Sequence, residues 1–298
     1  MRILSVGEIL WDVIDQCEHL GGAPLNFAAH AQKFGHEVFP LSAVGDDELG
    51  HRALELIRGR GISTEFIRVL PGKPTGTAQV ELDMDGKPTF RIVRPVAYDF
   101  VDLSSADIKA LVNLNPQWVY VGTLFHTSNA ALASTIRLLD ALPSALRFYD
   151  INIRDQNWNL TTVEQLSSRA TVVKLNDWEA ECLDATFDVE GEQESIESFA
   201  RRWADRFGVQ IVCVTCGERG CSILKGGQLT QVPGFRVEIA DTVGAGDAFS
   251  AGLVHGLSQG WPIEQSARFA NAVGAVVASK PGAIPDWNIA EVREKLDA

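Results

Sequence analysis

Residues 241–252 read Asp-Thr-Val-Gly-Ala-Gly-Asp-Ala-Phe-Ser-Ala-Gly, which joins a glycine turn to a carboxylate. Gly244 and Gly246 let consecutive backbone N–H groups point in one direction, and the small and apolar residues after them are typical of a buried helix. Such a turn at a helix N-terminus binds phosphate. Asp247 then lies in the first helical turn, where a carboxylate beside an anion makes sense if it accepts a proton. The stretch predicts phosphoryl transfer, although similar turns also occur in α/β proteins without phosphate chemistry.

The rest of the chain alternates between short apolar runs and segments with helical periodicity. The strand-like runs are residues 2–6, 37–43, 118–121, 146–151, 171–175 and 210–214. The helical segments are residues 25–34, 49–58, 129–141, 193–207, 248–259 and 263–279. This alternation predicts an α/β fold with a doubly wound, mostly parallel sheet flanked by helices. Ligands are expected at the carboxyl ends of its strands.

One region departs from that pattern. Residues 75–82 and 88–93 are strand-like and flank the sequence Asp-Met-Asp-Gly-Lys at 83–87, which is a hairpin signal. Together with the strand-like residues 8–15, they predict a small β-sheet added to a single domain that spans residues 1–298. Its strands are expected within about residues 8–18 and 73–98. An antiparallel extension of the main sheet, without motion, is the alternative.

Composition excludes several functional classes. The 298 residues are 46% hydrophobic, which is enough for a sizeable core. The net charge of -13 argues against nucleic acid and anionic membranes as partners, since no Lys/Arg cluster offsets it. No run approaches the ~20 apolar residues of a membrane span, and the N-terminus lacks a secretion pattern. Of five cysteines, Cys213 and Cys216 form a Cys-x-x-Cys pair, but Cys213 falls in an apolar run. We therefore expect reduced, buried thiols and a cytoplasmic protein.

Polar residues follow the first strand and open the first helix. Residues 7–12 leave the strand with Asp12, and residues 21–26 combine a glycine pair with the amide of Asn26. Asp12 and Asn26 can hydrogen-bond vicinal hydroxyls, as a polyol requires. Asn26 could instead satisfy local backbone groups, and Asp12 could be a solvated acid at a strand end.

Two later strands also end in polar residues. Arg154 follows the run Asp-Ile-Asn-Ile at 150–153 and offers a planar cation for a phosphate or carboxylate, or else a surface salt bridge. In the run Lys-Leu-Asn-Asp-Trp-Glu at 174–179, Asn176 and Glu179 have the spacing of a helix capping box. Residues 215–220 form a Thr-x-Gly-x-x-Gly turn that is compatible with phosphate.

These motifs together resemble the ribokinase-like (PfkB) sugar kinases. Residues 241–247 match the family signature Asp-Thr-x-Gly-Ala-Gly-Asp at every fixed position. Gly-Gly-Ala-Pro-x-Asn at 21–26 is typical of the fructokinases, and Asp-x-Asn-x-Arg-x-x-x-Trp at 150–158 resembles both fructokinases and 2-keto-3-deoxygluconate kinases. Ala-Tyr-Asp at 97–99 departs from the Ser-Ala-Asp that is usual in fructokinases. The resemblance runs from residue 7 to about residue 283. The Walker pattern and the protein-kinase motifs are absent.

The resemblance implies a role for each motif. It makes Asp247 the catalytic base and Gly244, Ala245 and Gly246 its anion hole. The residues implied to bind the sugar are Asp12, Gly22, Asn26, Arg94, Asn152 and Arg154. The residues implied to bind ATP are Lys174, Asn176, Thr215, Gly217, Gly220, Gly246 and Asn271. Glu179 would hold Mg²⁺ through water, and Asp241 would lie near a monovalent cation such as K⁺.

The implied activity is ATP- and Mg²⁺-dependent phosphorylation of a primary hydroxyl, with fructose as the first candidate. 2-Keto-3-deoxygluconate, ribose and nucleosides are alternative substrates, and a non-catalytic sensor is a remote alternative that the intact Asp247 disfavours. A dehydrogenase is disfavoured because the turn after Val6 lacks Gly-x-Gly-x-x-Gly. The small β-sheet would be a lid over the sugar, and its exposed hairpin could pair with a second copy in a homodimer.

Overall fold

The computed structural model describes residues 1–14, 17–82, 88–154, 157–187 and 195–297. Its strands are β1 (Arg2–Val6), β2 (Leu10–Ile14), β3 (Cys17–Gly21), β4 (Glu37–Gly45), β5 (Ile67–Leu70), β6 (Gly76–Leu82), β7 (Pro88–Ile92), β8 (Trp118–Gly122), β9 (Leu146–Asp150), β10 (Val172–Asn176), β11 (Ile211–Thr215), β12 (Cys221–Lys225) and β13 (Gln228–Val232). Its helices are α1 (Ala23–Lys33), α2 (Glu48–Gly59), α3 (Ser105–Leu114), α4 (Asn129–Ala141), α5 (Leu160–Ser167), α6 (Asp177–Phe187), α7 (Ile196–Phe207), α8 (Ala245–Ser258), α9 (Ile263–Ala278) and α10 (Ile289–Asp297).

Nine strands form the central sheet, in the order β13-β12-β11-β10-β9-β8-β1-β4-β5. All neighbours from β11 to β5 are parallel. β1 lies between β4 and β8, so the chain leaves the first strand on one side and later returns to its other side. Such a reversal opens a crevice at the carboxyl ends of the strands.

Alternating side chains of the buried strands supply two hydrophobic layers. Ile3 and Tyr120 pack on the face covered by α1 and α8, whereas Leu4 and Val121 pack on the opposite face. Because both faces are covered by helices, the strands read as continuous apolar runs in the sequence. The predicted α/β fold with a mostly parallel sheet is therefore confirmed.

Two details of the sheet differ from the sequence prediction. β12 and β13 pair antiparallel at one edge, where the alternation of strand and helix had predicted none. Only residues 216–220 connect β11 to β12, which is too short for the crossover that a parallel pair requires. α8 begins at Ala245 rather than at residue 248, because Gly244 in the left-handed region (φ 78°) already turns the chain into the helix.

Four strands form a second sheet in the order β3-β2-β6-β7. β6 and β7 pair antiparallel from Ala78 opposite Ile92 to Leu82 opposite Pro88, as the hairpin signal predicts. The hairpin tip at 83–87 lies outside the described residues. Only residues 7–9 separate β1 from β2, so β2 of this sheet begins close to the carboxyl end of the first strand. Within the described ranges, no helix is long and apolar enough to cross a membrane.

Candidate active site

Two adjoining cavities lie at the carboxyl ends of β1, β9, β10 and β11. We call the first, of about 400 Å³, the acceptor cavity; its lining includes Glu8, Asp12, Asn26, Asn152, Arg154, Lys174 and Asp247. We call the second, of about 310 Å³, the donor cleft; its lining includes Gly217, Gly220, Phe235, Phe249, Asn271 and Ala275. Both volumes are typical of small-molecule sites. The two share four residues, which are Asn176, Thr215, Thr242 and Gly246.

The glycine turn lies at the boundary between the cavities. A side chain on Gly244 would overlap the backbone of Ala283, and the positive φ there excludes most other residues. Gly244, the N-cap of α8, has no side chain with which to cap the helix, and Gly244, Ala245 and Gly246 line the cavities, so the backbone N–H groups of this helix N-terminus lie beside them. The Lys174 ammonium lies beside this turn, 3.2 Å from where a β-carbon on Gly246 would stand. The electrostatic potential at this boundary is therefore positive, which favours the binding of an anion.

Asp247 occupies the first turn of α8 and is 8% exposed. Its Oδ2 accepts a 2.8 Å hydrogen bond from Nδ2 of Asn26 on α1. Burial, and next the Asp150 carboxylate, raise the pKa of Asp247 to about 7, against the Asn26 hydrogen bond and the charges of Lys174 and Arg154. A carboxyl with a pKa near neutrality is suited to accept a proton from a hydroxyl.

Two more carboxyls and one guanidinium line the acceptor cavity. Burial raises the pKa of Asp12 to about 6 and that of Glu8 to about 7, while the nearby Arg154 opposes both shifts. Oε1 of Glu8 accepts the backbone N–H of Ala23 at the start of α1 over 3.2 Å. Arg154 is exposed and follows Asn152, which holds a left-handed conformation at φ 43°. The cavity is therefore lined by several hydrogen-bond acceptors and by two cations, Arg154 and Lys174.

Two buried oxygen atoms at this cavity have no partner within the described part of the chain, namely Oδ1 of Asn26 and Oε2 of Glu8. A buried polar atom without a hydrogen bond is costly and needs a ligand or water to satisfy it. The glycine pair keeps the space between them open, since a β-carbon on Gly21 would stand 2.8 Å from Oδ2 of Asp12. Gly22 holds a φ of 110° against the Glu8 backbone. Polar groups without partners in the described residues thus converge on this side of the acceptor cavity.

The donor cleft is more apolar. Phe235, Val237 and Ile239 form one wall, and small residues of α9 form another. Asn271 is buried on α9 and donates from Nδ2 to the carbonyls of Val232 and Pro233 at 3.2 and 3.1 Å. Gly217 and Gly220 hold positive φ angles in the turn after β11. A flat aromatic group fits such a cleft, with its charged end toward the glycine turn.

Three residues predicted from the sequence lie elsewhere than the cavity walls. Arg94 forms an ion pair with Asp99 and also contacts Thr127. Both carboxylate oxygens of Glu179 accept backbone N–H groups, of Ile153 and Asn176, each at 2.7 Å. The Asp241 carboxylate accepts the N–H groups of Val243 and Gly282. In this structure all three side chains hold backbone or loop segments around the site.

A dedicated metal cage is absent from the described residues, since no group of three or more His, Cys, Asp or Glu side chains could hold an ion there. Mg²⁺ commonly keeps several waters and is held largely by substrate phosphates. The donor set therefore fits a magnesium ion that arrives with a nucleotide, and does not fit a resident all-protein site.

Sequence reasoning missed several residues that line the cavities. Glu8 follows Gly7 and precedes Ile9 and Leu10, and a carboxylate in such a position at the end of a buried strand is unusual enough to serve as a signal. Thr242 precedes the glycine turn and lines both cavities. Phe235, Val237 and Ile239 alternate with polar residues, and that period of two was the available signal for a surface with one apolar side.

Comparison with known proteins relates the chain to one family of kinases. The model of the pfkB family carbohydrate kinases matches residues 7–290. Fructokinase-1 of Oryza sativa subsp. japonica is 28% identical over 309 residues, covering 95% of this chain and 93% of the relative. A fructokinase from Xylella fastidiosa, solved with bound ATP, superposes with a TM-score of 0.87 at 23% identity, covering 99% and 98%. A 2-dehydro-3-deoxygluconokinase from Thermotoga maritima gives 0.87 at 19% identity over the full length of both chains.

Proposed function

The chain belongs to the pfkB family of carbohydrate kinases, and on that premise we propose that it transfers the γ-phosphoryl group of ATP to O6 of D-fructose. A single observation carries the proposal: the acceptor cavity and the donor cleft meet at the glycine turn, and Asp247 stands on the acceptor side. A hydroxyl in the first and a γ-phosphate at the end of the second would face each other across that turn.

The residues around the two cavities then each have a role in the transfer. Asn26 and Asp12 hold the sugar by hydroxyl hydrogen bonds. The O6 oxygen attacks the γ-phosphorus, the bond from that phosphorus to the β-phosphate oxygen breaks, and the hydroxyl proton passes to the Asp247 carboxylate. The N–H groups from Gly244 to Asp247 and the Lys174 ammonium stabilise the charge on the transferred oxygens. ADP leaves with the bridging oxygen.

Metal ions would be held with little help from side chains. Mg²⁺, when bound, would be held by the substrate phosphates and by water, and would neutralise charge on the β- and γ-phosphates. Glu179 would contribute by fixing the ends of the loops after β9 and β10, through Ile153 and Asn176. Asp241 ties residue 243 to residue 282, and carbonyls of these two loops would hold a monovalent cation such as K⁺.

The charge of the acceptor cavity favours a neutral sugar. Glu8, Asp12 and Asp247 line it, against Arg154 and Lys174, and Lys174 is already paired with Asp150. Arg94, the second cation that a sugar acid could have used, is paired with Asp99. A substrate carboxylate would therefore meet more negative than positive charge. Arg154 keeps 2-keto-3-deoxygluconate as the second candidate.

The second sheet would act as the lid. Leu10, Ala78 and Ile92 belong to β2, β6 and β7 and line the acceptor cavity on its outer side. Their apolar atoms would exclude water from the hydroxyl and the γ-phosphate, which limits hydrolysis of ATP. Closure over a bound sugar would complete the site.

The test is an ADP-release assay with Mg-ATP and a panel of acceptors, with and without potassium. The panel contains D-fructose, D-ribose, 2-keto-3-deoxygluconate, adenosine and fructose 6-phosphate, and a sugar-free sample measures hydrolysis. The proposal expects the highest kcat/KM with fructose and a 6-phosphate product by phosphorus NMR. A higher kcat/KM with another acceptor would move the substrate, and no turnover on any acceptor would refute the assignment and favour a sensor.

A further inference from the structure

Asp150, the last residue of β9, is 0% exposed, and its carboxylate contacts Lys174, which lines the acceptor cavity. Three elements direct groups at this carboxylate. Lys174 of β10 contacts its two oxygens at 3.0 and 3.2 Å, Ser250 of α8 donates to Oδ2 at 2.9 Å, and Tyr120 of β8 donates to Oδ2 at 3.2 Å. Burying a carboxylate is costly unless it is paired and hydrogen-bonded, and these three groups supply such partners.

The ion pair points the Lys174 ammonium toward the glycine turn. Lys174 lines the acceptor cavity and is 7% exposed, and its Nζ lies 3.2 Å from the position of a β-carbon on Gly246. Gly246 lines both cavities, so the ammonium stands where a phosphoryl group would cross from one to the other. An ammonium has three N–H donors, and Asp150 fixes the direction of the remaining one.

Asp150 also acts on Asp247. After burial, the Asp150 carboxylate is the largest influence that raises the pKa of Asp247, and it exceeds the opposing effect of Lys174. The ion pair of Asp150 and Lys174 as a whole therefore raises the pKa of Asp247 above the value that burial alone would give. The other charged or titratable groups that face the two carboxyls are Glu8, Arg154, Tyr120, Glu179, Tyr149 and Cys213.

We infer that Asp150 is a positioning residue of the phosphoryl transfer, an inference that rests on the proposed function. It holds the Lys174 ammonium against the glycine turn, anchors the first turns of α8 through Ser250, and sets the charge that the Asp247 carboxyl meets. Removing its charge should weaken Asp247 as a base and release Lys174 from its fixed direction.

The experiment measures the titration of Asp247 directly, so that it needs no substrate. Carboxyl carbon NMR of enzyme labelled with ¹³C-aspartate is recorded for the wild type, for Asp150→Asn and for Ser250→Ala, and the Asp247 signal is assigned by its loss in Asp247→Asn. We expect a wild-type midpoint near 7 and a fall of about one pH unit or more in Asp150→Asn. Ser250→Ala keeps the charges and loses one hydrogen bond, so its midpoint should stay near that of the wild type.

A second variant covers the case in which Asp150→Asn does not fold, since it leaves Lys174 buried without its partner. Asp150→Asn/Lys174→Met removes both charges, a replacement that proteins usually tolerate. Because Asp150 outweighs Lys174, the Asp247 midpoint should fall in this variant too. An unchanged midpoint in folded protein would overturn the inference.

Kinetics then separates this inference from the proposed function. With any acceptor that the wild type phosphorylates, the acid limb of the kcat profile should move to lower pH in Asp150→Asn by the same amount as the NMR midpoint, whereas a purely structural role would lower kcat without moving the limb. If no acceptor is phosphorylated, the proposed function fails, and the NMR midpoint alone still decides whether Asp150 controls Asp247.

Discussion

The amide of Asn26 donates to the Asp247 carboxylate over 2.8 Å, although 221 residues separate the two in the chain. Asn26 lies in the first turns of α1 and Asp247 in the first turn of α8, and these helices pack side by side against the central sheet. One hydrogen bond thus joins Asn26, which we propose binds the sugar, to Asp247, the proposed base. Oδ1 of Asn26 has no partner in the described part of the chain and is free to accept from a sugar hydroxyl.

This contact predicts a pH dependence. Only the ionised form of Asp247 accepts a proton, and its pKa is about 7, so kcat/KM should rise with pH through neutrality. Asn26→Ala removes a hydrogen bond to the ionised form and should move that acid limb to higher pH, in addition to raising KM for the sugar. Asn113→Ala, on the exposed side of α3, is the control and should leave the limb in place. A limb that stays fixed in Asn26→Ala would contradict the contact.

Stability should respond to the same carboxyl in the opposite sense to most acids. The native pKa of Asp247 is raised from 3.8 to about 7, so the native state binds the proton more tightly than the unfolded chain. Stability is therefore lost as pH rises from about 4 to 7, by up to about 4 kcal/mol. Asp247→Asn should raise the free energy of unfolding at pH 8 and lose this advantage below pH 4.

Denaturant unfolding at pH 4, 6 and 8 measures that dependence. Asp205→Asn, at an exposed position of α7, should change stability little at any of the three values. An Asp247→Asn variant that is less stable than the wild type at pH 8 would show that the buried, ionised carboxylate does not destabilise the native state.

The glycine turn gives a matched pair of substitutions. Gly244 and Gly260 both have positive φ, but a β-carbon on Gly244 would overlap the Ala283 backbone, whereas one on Gly260 meets nothing within 4 Å. Gly260→Ala should cost about 1–2 kcal/mol of stability and leave kcat unchanged. Gly244→Ala should cost more and should lower kcat by at least ~10², because the N–H groups of the anion hole would shift. Equal kinetic effects of the two substitutions would contradict the anion-hole assignment.

A large side chain introduced on α9 should block the donor cleft and leave the acceptor cavity open. Ala275 lines the cleft and is partly buried, so Ala275→Trp should raise KM for ATP at least ~10-fold by occupying the place of the base. Fructose binding in the acceptor cavity should stay within about two-fold of the wild type. Gln265→Trp, on the exposed side of the same helix, controls for the substitution itself. Loss of fructose binding without loss of ATP binding would assign the two cavities the other way round.

Much of the fold could be predicted from the sequence because it depends on local patterns. The apolar runs at 2–6 and 118–121 match β1 and β8 closely, since strands buried on both faces leave an unbroken signal. The antiparallel edge was missed for two reasons: β13 is mostly exposed or half-buried, which weakens that signal, and β12, although buried, follows β11 without an intervening helix. The turn at 216–220 joins β11 to β12, and only the pairing of these two strands in the folded sheet shows that it is a hairpin turn.

The site divides in the same way. Gly244 is required by the positive φ of its turn, and Asp247 and Asn26 each follow a glycine turn that opens a helix. The structure brings all three residues to the acceptor cavity. Arg94 could not be placed from its sequence, because whether a cation faces a substrate or a carboxylate such as Asp99 depends on packing across the chain. Asp150 begins the Asp-x-Asn-x-Arg motif, yet its burial beside Lys174 and Ser250 depends on three elements that only the fold brings together.

The most direct test of the account is Asp247→Asn, with turnover and nucleotide binding measured on the same preparation. The amide keeps the size of the side chain and the acceptor for Asn26, but it cannot take the proton of the attacking hydroxyl. We expect kcat with the preferred sugar to fall by at least ~10², while the ATP dissociation constant, from a fluorescence titration, stays within about two-fold. Turnover close to that of the wild type would contradict the assignment of Asp247 as the base.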